Sequence, residues 1–299
     1  MRLTAPSTGF ASLTVFVSAS LWGLYWIPLR YLEDLGVAPG WAIVLTTAPA
    51  ALVLGVIALW QWPRTRPHLR HALLIGALTG TGLALYGLGL IYSSVVRATL
   101  LFYLMPVWGT LIGMAWLGER ANWRRWAAIA AGLVGLALLM SGGGSVPLNV
   151  GDLFGLLSGI FWSTGAAAIM RFDKVPVPGM TALQFAMTAL VAIGVGAMVG
   201  TEAFPTVEIL TTALPVGTAV AVLGFIPAVV VLFWAQKFLF PGRVGLLMMT
   251  EVITAVLTAS IFLPEETMSS IQWAGAALVV GACLLEVMGS EAEPKPEAG

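Results

Sequence analysis

Residues 97–119 read RATLLFYLMPVWGTLIGMAWLGE, and residues 243–265 read RVGLLMMTEVITAVLTASIFLPE. Both stretches begin with Arg, have Leu-Leu at their fourth and fifth positions and close on Glu. An offset of 146 residues takes Arg97 onto Arg243 and takes the closing Glu of the first stretch onto that of the second. Self-similarity at a fixed offset is typical of a repeated structural unit. The chain is therefore expected to contain the same unit twice.

Weaker markers outside these stretches occur in the same order in both halves. Ser20-Leu21-Trp22 resembles Ile160-Phe161-Trp162 at an offset of 140 residues. Farther along each half, Trp126 falls one residue out of step with Trp273. Each marker alone is weak, but their common order supports an internal repeat.

The composition predicts an all-α membrane protein. Of the 299 residues, 59% are hydrophobic and 9% are charged, whereas a soluble domain carries about 25% charged residues. A helix needs about 20 mostly apolar residues to cross a bilayer. The apolar runs predict ten such spans, at residues 10–31, 38–60, 70–92, 96–117, 124–141, 151–171, 179–200, 212–236, 243–263 and 270–289.

These spans divide into two predicted repeats of five helices, residues 10–141 and residues 151–289. The tail at 290–299, with its Glu and Pro residues, is expected to be disordered and cytoplasmic. Because five is an odd number, the second repeat must enter the membrane from the opposite face. Inverted repeats are typical of secondary transporters, whose substrate site lies near the middle of the membrane.

The distribution of basic residues predicts that both termini are cytoplasmic. With ten spans, twelve Lys and Arg residues fall on the side of the N-terminus, and only Arg30 and Arg97 fall on the opposite side. Cytoplasmic loops carry an excess of Lys and Arg. The whole chain has 14 basic and 14 acidic residues, so its charge gives no sign of a nucleic-acid partner.

Five short motifs occur in the order that characterises a known family. They are Leu21-Trp22-Gly23, Tyr103-Leu104-Met105-Pro106-Val107, Leu117-Gly118-Glu119-Arg120, Met249-Thr250-Glu251-Val252 and Pro264-Glu265. Over residues 10–289 the chain resembles the EamA branch of the drug/metabolite transporter superfamily, which implies ten helices in two inverted five-helix EamA repeats. Val252 stands where that family usually has Pro, so the signal for a kink in the ninth span is weaker. Within the superfamily, the chain looks like the aromatic and neutral amino-acid exporters of bacterial inner membranes.

Aromatic side chains within the predicted spans are the first candidates for substrate binding, because large rings can bury the apolar part of a solute. The candidates are Trp22, Trp26, Tyr86, Tyr103, Trp108 and Trp162. Trp22 and Trp26 are four residues apart and share one helix face, and Trp22 is equivalent to Trp162 in the repeat. Packing between helices, or exposure to lipid, is the alternative for each ring.

Charged residues in the spans are the second group of candidates. Glu251 lies eight residues beyond Arg243 and therefore about 12 Å into the ninth span. Charged groups at such depth are costly and indicate function, so Glu251 is a candidate to bind a substrate amine, pair with a base or carry a proton. A protonated acid that joins two helices is the alternative. Arg97 and Arg243 begin the fourth and ninth spans and are candidates for gating residues or for salt bridges.

Three prolines within spans, Pro28, Pro106 and Pro227, are candidate hinges, because proline removes a backbone hydrogen bond. Such breaks persist in membranes only where neighbours or a wet cavity satisfy the freed carbonyl. Glu119 and Glu265, which end the fourth and ninth spans, are expected to cap a helix or tie a loop rather than contact substrate.

The sequence gives no support for an enzyme, a metal site or a cofactor. His68 and His71, the only histidines, lie together in an Arg-rich loop, and Cys283 is the only cysteine. No GxxxxGK[ST] motif is present, so ATP is not expected as a partner.

Transport is therefore the predicted function. The first hypothesis is export of aromatic and other neutral or hydrophobic amino acids, or related metabolites, by alternating access across the bacterial inner membrane. The alternative is a broad-specificity exporter of drugs or organic cations, which an aromatic cavity with Glu251 would serve equally well. The expected partners are a small-molecule substrate and the lipid bilayer. Both repeats lie in one chain, so a monomer can function alone.

Overall fold

The computed structural model describes residues 6–93, 95–139, 141, 149–199, 204–262 and 269–288. Within these ranges every regular element is a helix, and no strand occurs among them. The helices form ten crossings in chain order, which confirms the predicted all-α fold. Glu265 and the tail at 290–299 lie outside the described residues.

The first five crossings are built from eight helices, α1 to α8. They are α1 (Thr8–Trp22) with α2 (Trp26–Asp34); α3 (Pro39–Trp60); α5 (Leu69–Tyr92); α6 (Val95–Phe102) with α7 (Met105–Ile112) and a π-helical segment (Gly113–Leu117); and α8 (Trp123–Leu139). A short helix, α4 (Trp62–Thr65), and a 3-10 turn (Arg66–His68) join the second crossing to the third.

The last five crossings are built from α9 to α15. They are α9 (Val150–Arg171); α10 (Val177–Val199); α11 (Val207–Ala219) with a π-helical segment (Val220–Phe225) and α12 (Ile226–Gln236); α13 (Pro241–Met248) with α14 (Thr250–Phe262); and α15 (Ser270–Met288). The eighth crossing begins five residues before the predicted start at 212, because Thr206 caps α11. Its hydroxyl accepts a hydrogen bond from the Ile209 backbone N–H at 3.4 Å.

Length and apolarity fit these helices to a bilayer. Six stretches of the described chain are long and apolar enough to cross one: Gly40–Trp60, Trp62–Leu90, Ala98–Leu117, Val150–Arg171, Val177–Val195 and Val207–Gln236. Thr8–Trp22 and Ser270–Leu285 are shorter apolar helices. Because a helix satisfies its own backbone groups, it can cross a medium that offers no hydrogen bonds. These features are those of a multi-pass membrane protein.

Irregular backbone precedes each of the three prolines singled out in the sequence. Pro28, Pro106 and Pro227 lie in the first turns of α2, α7 and α12, where a missing N–H is tolerated. The proline ring clashes with the carbonyl four residues earlier, which disfavours regular helix in the preceding turn. The irregular segments fall at residues 23–25, 103–104 and 220–225.

The ninth crossing is interrupted at Met249 although α14 contains no proline. Met249 lies 146 residues after Tyr103, so the fourth and ninth crossings break at equivalent positions. At this break the Val252 N–H bonds to the Met249 carbonyl, at 3.2 Å. The Met248 carbonyl instead accepts a hydrogen bond from the Tyr103 hydroxyl, also at 3.2 Å. A side chain of the first repeat thus supports the backbone of the second.

The helices of the two halves pack in equivalent pairs. The third crossing packs on the sixth through α5 and α9, and the equivalent pair, the eighth and the first, packs through α12 and α1. The second and seventh crossings pack on each other, as do the fourth and ninth and the fifth and tenth. This pattern joins the two repeats along their whole length.

Small residues allow the fourth and ninth crossings to approach closely. A Cβ added at Gly109 on α7 would lie 2.7 Å from the Pro241 carbonyl carbon and 2.8 Å from the Gly242 nitrogen. A Cβ at Gly242 would overlap the Thr110 hydroxyl in the same way. Close backbone approach of this kind is the usual basis of helix packing in membranes.

We predict that Gly109→Ala destabilises the protein by about 1–3 kcal/mol, the usual cost of overpacking. Gly55→Ala on α3 is the matched control, because a Cβ there meets no heavy atom within 4 Å. Thermal unfolding of both variants in detergent measures the difference. Equal stability of the two variants would contradict the close contact between α7 and α13.

Candidate substrate cavity

A cavity lies beside the helix interruptions, between the two repeats. Eleven residues on the first, third, fourth, sixth, eighth and ninth crossings line it: Ser18, Ala19, Trp22, Leu83, Tyr86, Phe102, Trp162, Val229, Leu232, Met248 and Glu251. Trp22 ends α1, Phe102 ends α6 and Met248 ends α13. The cavity therefore lies where α1, α6 and α13 end.

The lining residues occur largely in equivalent pairs. The offset of 146 residues pairs Leu83 with Val229, Tyr86 with Leu232 and Phe102 with Met248, and the offset of 140 pairs Trp22 with Trp162. Residues at equivalent positions of the two repeats thus line one cavity. Substrate sites of inverted-repeat transporters lie at such a boundary.

Stacked aromatic rings form much of the wall. The ring centroids of Trp22 and Phe225 are 4.4 Å apart and nearly parallel, at 16°. On the other side, Tyr86 stacks on Phe102 with centroids 4.4 Å apart and an angle of 30°. The Phe102 ring also meets Tyr103 edge-on at 5.0 Å. Such contacts hold the rings in fixed positions and present flat apolar faces.

Glu251 supplies the only carboxyl group among the described lining residues. It lies in the first turn of α14, where the free N–H groups of a helix favour negative charge. The residue is 7% exposed, and its side chain lies beside that of Tyr103. Tyr86 lies close enough to interact with it electrostatically. Glu251, Tyr103 and Tyr86 thus form one polar cluster in an otherwise apolar cavity.

Gly23 lies directly behind this cluster, in the interruption between α1 and α2. A Cβ at Gly23 would overlap the carbonyl oxygen of Glu251 and would lie 2.8 Å from the Thr254 Cβ. The equivalent residue in the second repeat, Ser163, donates a hydrogen bond to the Met105 carbonyl at 3.0 Å. Met105 is in turn equivalent to Glu251. The same contact is therefore made by close packing in one half and by a hydrogen bond in the other.

Trp162 presents a second polar group at the cavity. Its side chain borders the cavity and is 5% exposed, and its indole Nε1 is buried without a hydrogen-bond partner among the described residues. The nearest aromatic neighbour is Phe233, at a centroid distance of 6.2 Å, and it offers no acceptor atom. The indole N–H is thus a donor without a partner among the described residues, on a side chain that borders the cavity.

The cavity is narrow in this conformation. Its volume is about 20 Å³, which is enough for about one water molecule. An amino acid is several times larger, so a substrate of that size requires the surrounding helices to move apart. Regular helical hydrogen bonding is interrupted in the first, fourth and ninth crossings, and the hinge role of Pro28, Pro106 and Pro227 stays a prediction.

The structure brings four of the predicted substrate residues to the cavity wall, Trp22, Tyr86, Trp162 and Glu251, with Tyr103 directly behind. Trp108 lies on α7 outside the lining, with its indole nitrogen buried and without a partner among the described residues. The side chains of Trp26 and Arg97 are outside the described part of the structure.

Two side-chain hydrogen bonds, one buried and one partly buried, join neighbouring helices. Arg243, which is 1% exposed, donates from Nε to the Ser12 hydroxyl on α1 at 3.0 Å. Beyond the end of α5, Ser93 donates to the Asp152 carboxyl in the first turn of α9 at 2.5 Å. Ser12 and Asp152 are equivalent at the offset of 140 residues. Arg243 is therefore a link between the first and ninth crossings, and its gating role stays a prediction.

Glu119 ties the loop after the fourth crossing to the next helix. Gly118 ends that crossing with a φ of +71°, a left-handed conformation that favours glycine. The buried Glu119 carboxylate then pairs with the Arg125 guanidinium at the start of α8. This contact agrees with the expectation that Glu119 holds a loop rather than a substrate.

The sequence candidates did not include Phe102 or the aliphatic part of the wall. They were Trp, Tyr and charged residues, and Val229, Leu232 and Met248 are none of these. The repeat offset was the available signal, because each of these residues lies 146 positions after Leu83, Tyr86 or Phe102. Phe225, which supports Trp22, has no comparable signal in the sequence. No group of three or more His, Cys, Asp or Glu residues that could hold a metal occurs in the described part of the chain.

Comparison with known proteins agrees with the helical architecture. One solved crystal structure has a TM-score of 0.73 to this chain at 21% sequence identity, with 93% of this chain and 96% of the other covered. At that identity the likeness shows the fold alone. No curated protein matches the sequence.

The matching family describes both halves of the chain. The EamA-like transporter family matches residues 9–141 and again residues 149–288. The two matches cover nearly the whole sequence, which confirms the predicted relationship and is consistent with the drug/metabolite transporter superfamily. Proteins of this family are transporters rather than enzymes. The chain therefore belongs to the EamA-like transporter family.

Proposed function

We propose that this transporter exports aromatic and other neutral or hydrophobic amino acids, or related metabolites, by alternating access. The observation that carries the proposal is the cavity between the repeats, lined by aromatic and aliphatic side chains around one carboxyl group. Its apolar walls suit a hydrophobic side chain, and the carboxyl of Glu251 suits a protonated amine. An amino acid with a large apolar side chain has both groups.

The carboxyl also favours a second candidate function. Among the described lining residues, no Lys or Arg accompanies Glu251, so the cavity suits an organic cation as well as a zwitterion. Stacked rings attract cations through their faces. A broad-specificity exporter of drugs or organic cations is therefore the alternative, and the solute must be identified by transport measurements.

We also propose the topology of a two-repeat inner-membrane exporter. The repeats, residues 10–141 and residues 151–289, are inverted, because each contains five crossings. Both termini are cytoplasmic, because twelve of the 14 basic residues then face the cytoplasm. One chain supplies both walls of the cavity, so a monomer suffices for transport.

For the substrate, we predict that liposomes containing the purified protein take up tryptophan, phenylalanine, methionine or threonine faster than empty liposomes. Glu251→Gln is expected to reduce this uptake by about tenfold or more, because a charge-assisted hydrogen bond to the amine is lost. Uptake with and without a pH gradient shows whether protons take part.

Glu208→Gln is the matched control, since Glu208 also lies in the first turn of a helix but is exposed. Its uptake should equal that of the wild type. Movement of a lipophilic cation without any amino-acid uptake would refute the first hypothesis and favour the alternative.

For the topology, we predict opposite labelling of two exposed positions by a membrane-impermeant thiol reagent. In a Cys283→Ala background, Glu208→Cys should react in intact cells, because it precedes the eighth crossing on the periplasmic side. Arg66→Cys should react only after the membrane is permeabilised. The reverse pattern would show that the termini face the periplasm.

A further inference from the structure

The two walls of the cavity match in position but differ in chemistry. Tyr86 has Leu232 as its equivalent, and Glu251 has Met105. The polar cluster of Glu251, Tyr86 and Tyr103 therefore has no counterpart on the equivalent wall. A solute with one polar end is held differently by the two walls.

Trp162 adds a second polar group that differs in kind from the first. Its indole N–H can only donate a hydrogen bond, whereas the Glu251 carboxylate can only accept one. The nitrogen is buried without a partner among the described residues, although its side chain borders the cavity. A buried donor without a partner destabilises a protein, and nearly all such groups in native structures find one. A ligand in the cavity is the available source of an acceptor.

We propose that the cavity binds two neighbouring polar groups of its solute. The protonated amine binds Glu251, and a hydrogen-bond acceptor close to that amine binds the Trp162 N–H. The aromatic and aliphatic wall takes the apolar remainder. This inference rests on the proposed function and narrows it to primary amines that carry an adjacent carboxylate or carbonyl group. Simple lipophilic amines satisfy Glu251 but leave Trp162 without a partner.

The shared cavity favours a ligand that carries both groups close together. Glu251 and Trp162 border the same narrow cavity, whose volume is about 20 Å³. A compact head that carries both amine and acceptor can reach two such groups at once. The side chain then extends along the aromatic wall, which includes Trp22.

Four ligands with the same phenyl group separate the contribution of the amine from that of the hydrogen-bond acceptor. Phenylalanine and phenylalaninamide carry an amine with a charged or a neutral acceptor, phenethylamine lacks the acceptor, and 3-phenylpropanamide lacks the amine. Their dissociation constants are measured by calorimetry with the full chain in nanodiscs. We expect phenylalanine, phenylalaninamide or both to bind about tenfold more tightly than phenethylamine. The tighter of the two identifies the acceptor as carboxylate or neutral carbonyl.

Trp162→Phe keeps a six-membered aromatic ring and removes the pyrrole ring that carries the N–H donor. In this variant, phenylalanine or phenylalaninamide is expected to bind only about twofold more tightly than phenethylamine, or less. The dissociation constant of phenethylamine itself should not change. Because the preference is a ratio within one variant, partial loss of folded protein does not alter it. Glu251→Gln should weaken all three amines and leave 3-phenylpropanamide unchanged.

Two matched substitutions are the controls. Trp22→Phe makes the same change at the equivalent position in the cavity, and Trp108→Phe makes it at a buried indole outside the lining. Both variants should keep the tenfold preference. An unchanged preference in Trp162→Phe, or an equal loss in all three variants, would overturn the inference while leaving amino-acid transport intact. Binding of a lipophilic cation with no binding of the four ligands would overturn the proposed function as well.

Discussion

The structure depends on one constraint: inside a bilayer, every backbone N–H and C=O group must find a partner within the protein. Uninterrupted helices meet this constraint alone, and the interrupted crossings need help from their neighbours. At the break in the ninth crossing, the Tyr103 hydroxyl donates a hydrogen bond to the Met248 carbonyl. Beside the break in the fourth crossing, the Ser163 hydroxyl donates a hydrogen bond to the Met105 carbonyl. The interruptions are therefore possible only where the two repeats meet, and the cavity forms at the same place for the same reason.

The fold was largely predictable because its signals are long and redundant. Ten apolar runs and markers repeated at offsets of 140 to 147 residues, 146 between Arg97 and Arg243, indicated the helices and their repetition. The interruption at Met249 was less predictable, since Val252 stands where a proline would have signalled it. That break depends on a hydrogen bond from a distant helix and on the close approach of Gly23. Contacts of this kind leave no local pattern in the sequence.

The cavity was predictable in part. Trp22, Tyr86, Trp162 and Glu251 stand out because large rings and a carboxyl within apolar spans require an explanation, and all four border the cavity. Trp108 satisfies the same criterion but lies outside the lining, because helix composition does not specify which face turns inward. The aliphatic wall residues look like any other apolar residue of a membrane helix. They become recognisable only once the repeat offset is combined with the packing of the helices.

The unequal chemistry of the two cavity walls has a consequence for the path of a solute. If both walls were identical, a solute could bind in two opposite poses of equal energy, and the site would not distinguish its head from its tail. The Glu251 carboxyl lies on one wall, and its equivalent in the other repeat is Met105. This difference makes the two poses unequal in energy. A solute held in one pose does not turn while the barrier moves from one side of it to the other. The end that enters first is then also the end that leaves first, so the entrance side and the exit side face different ends of the same molecule.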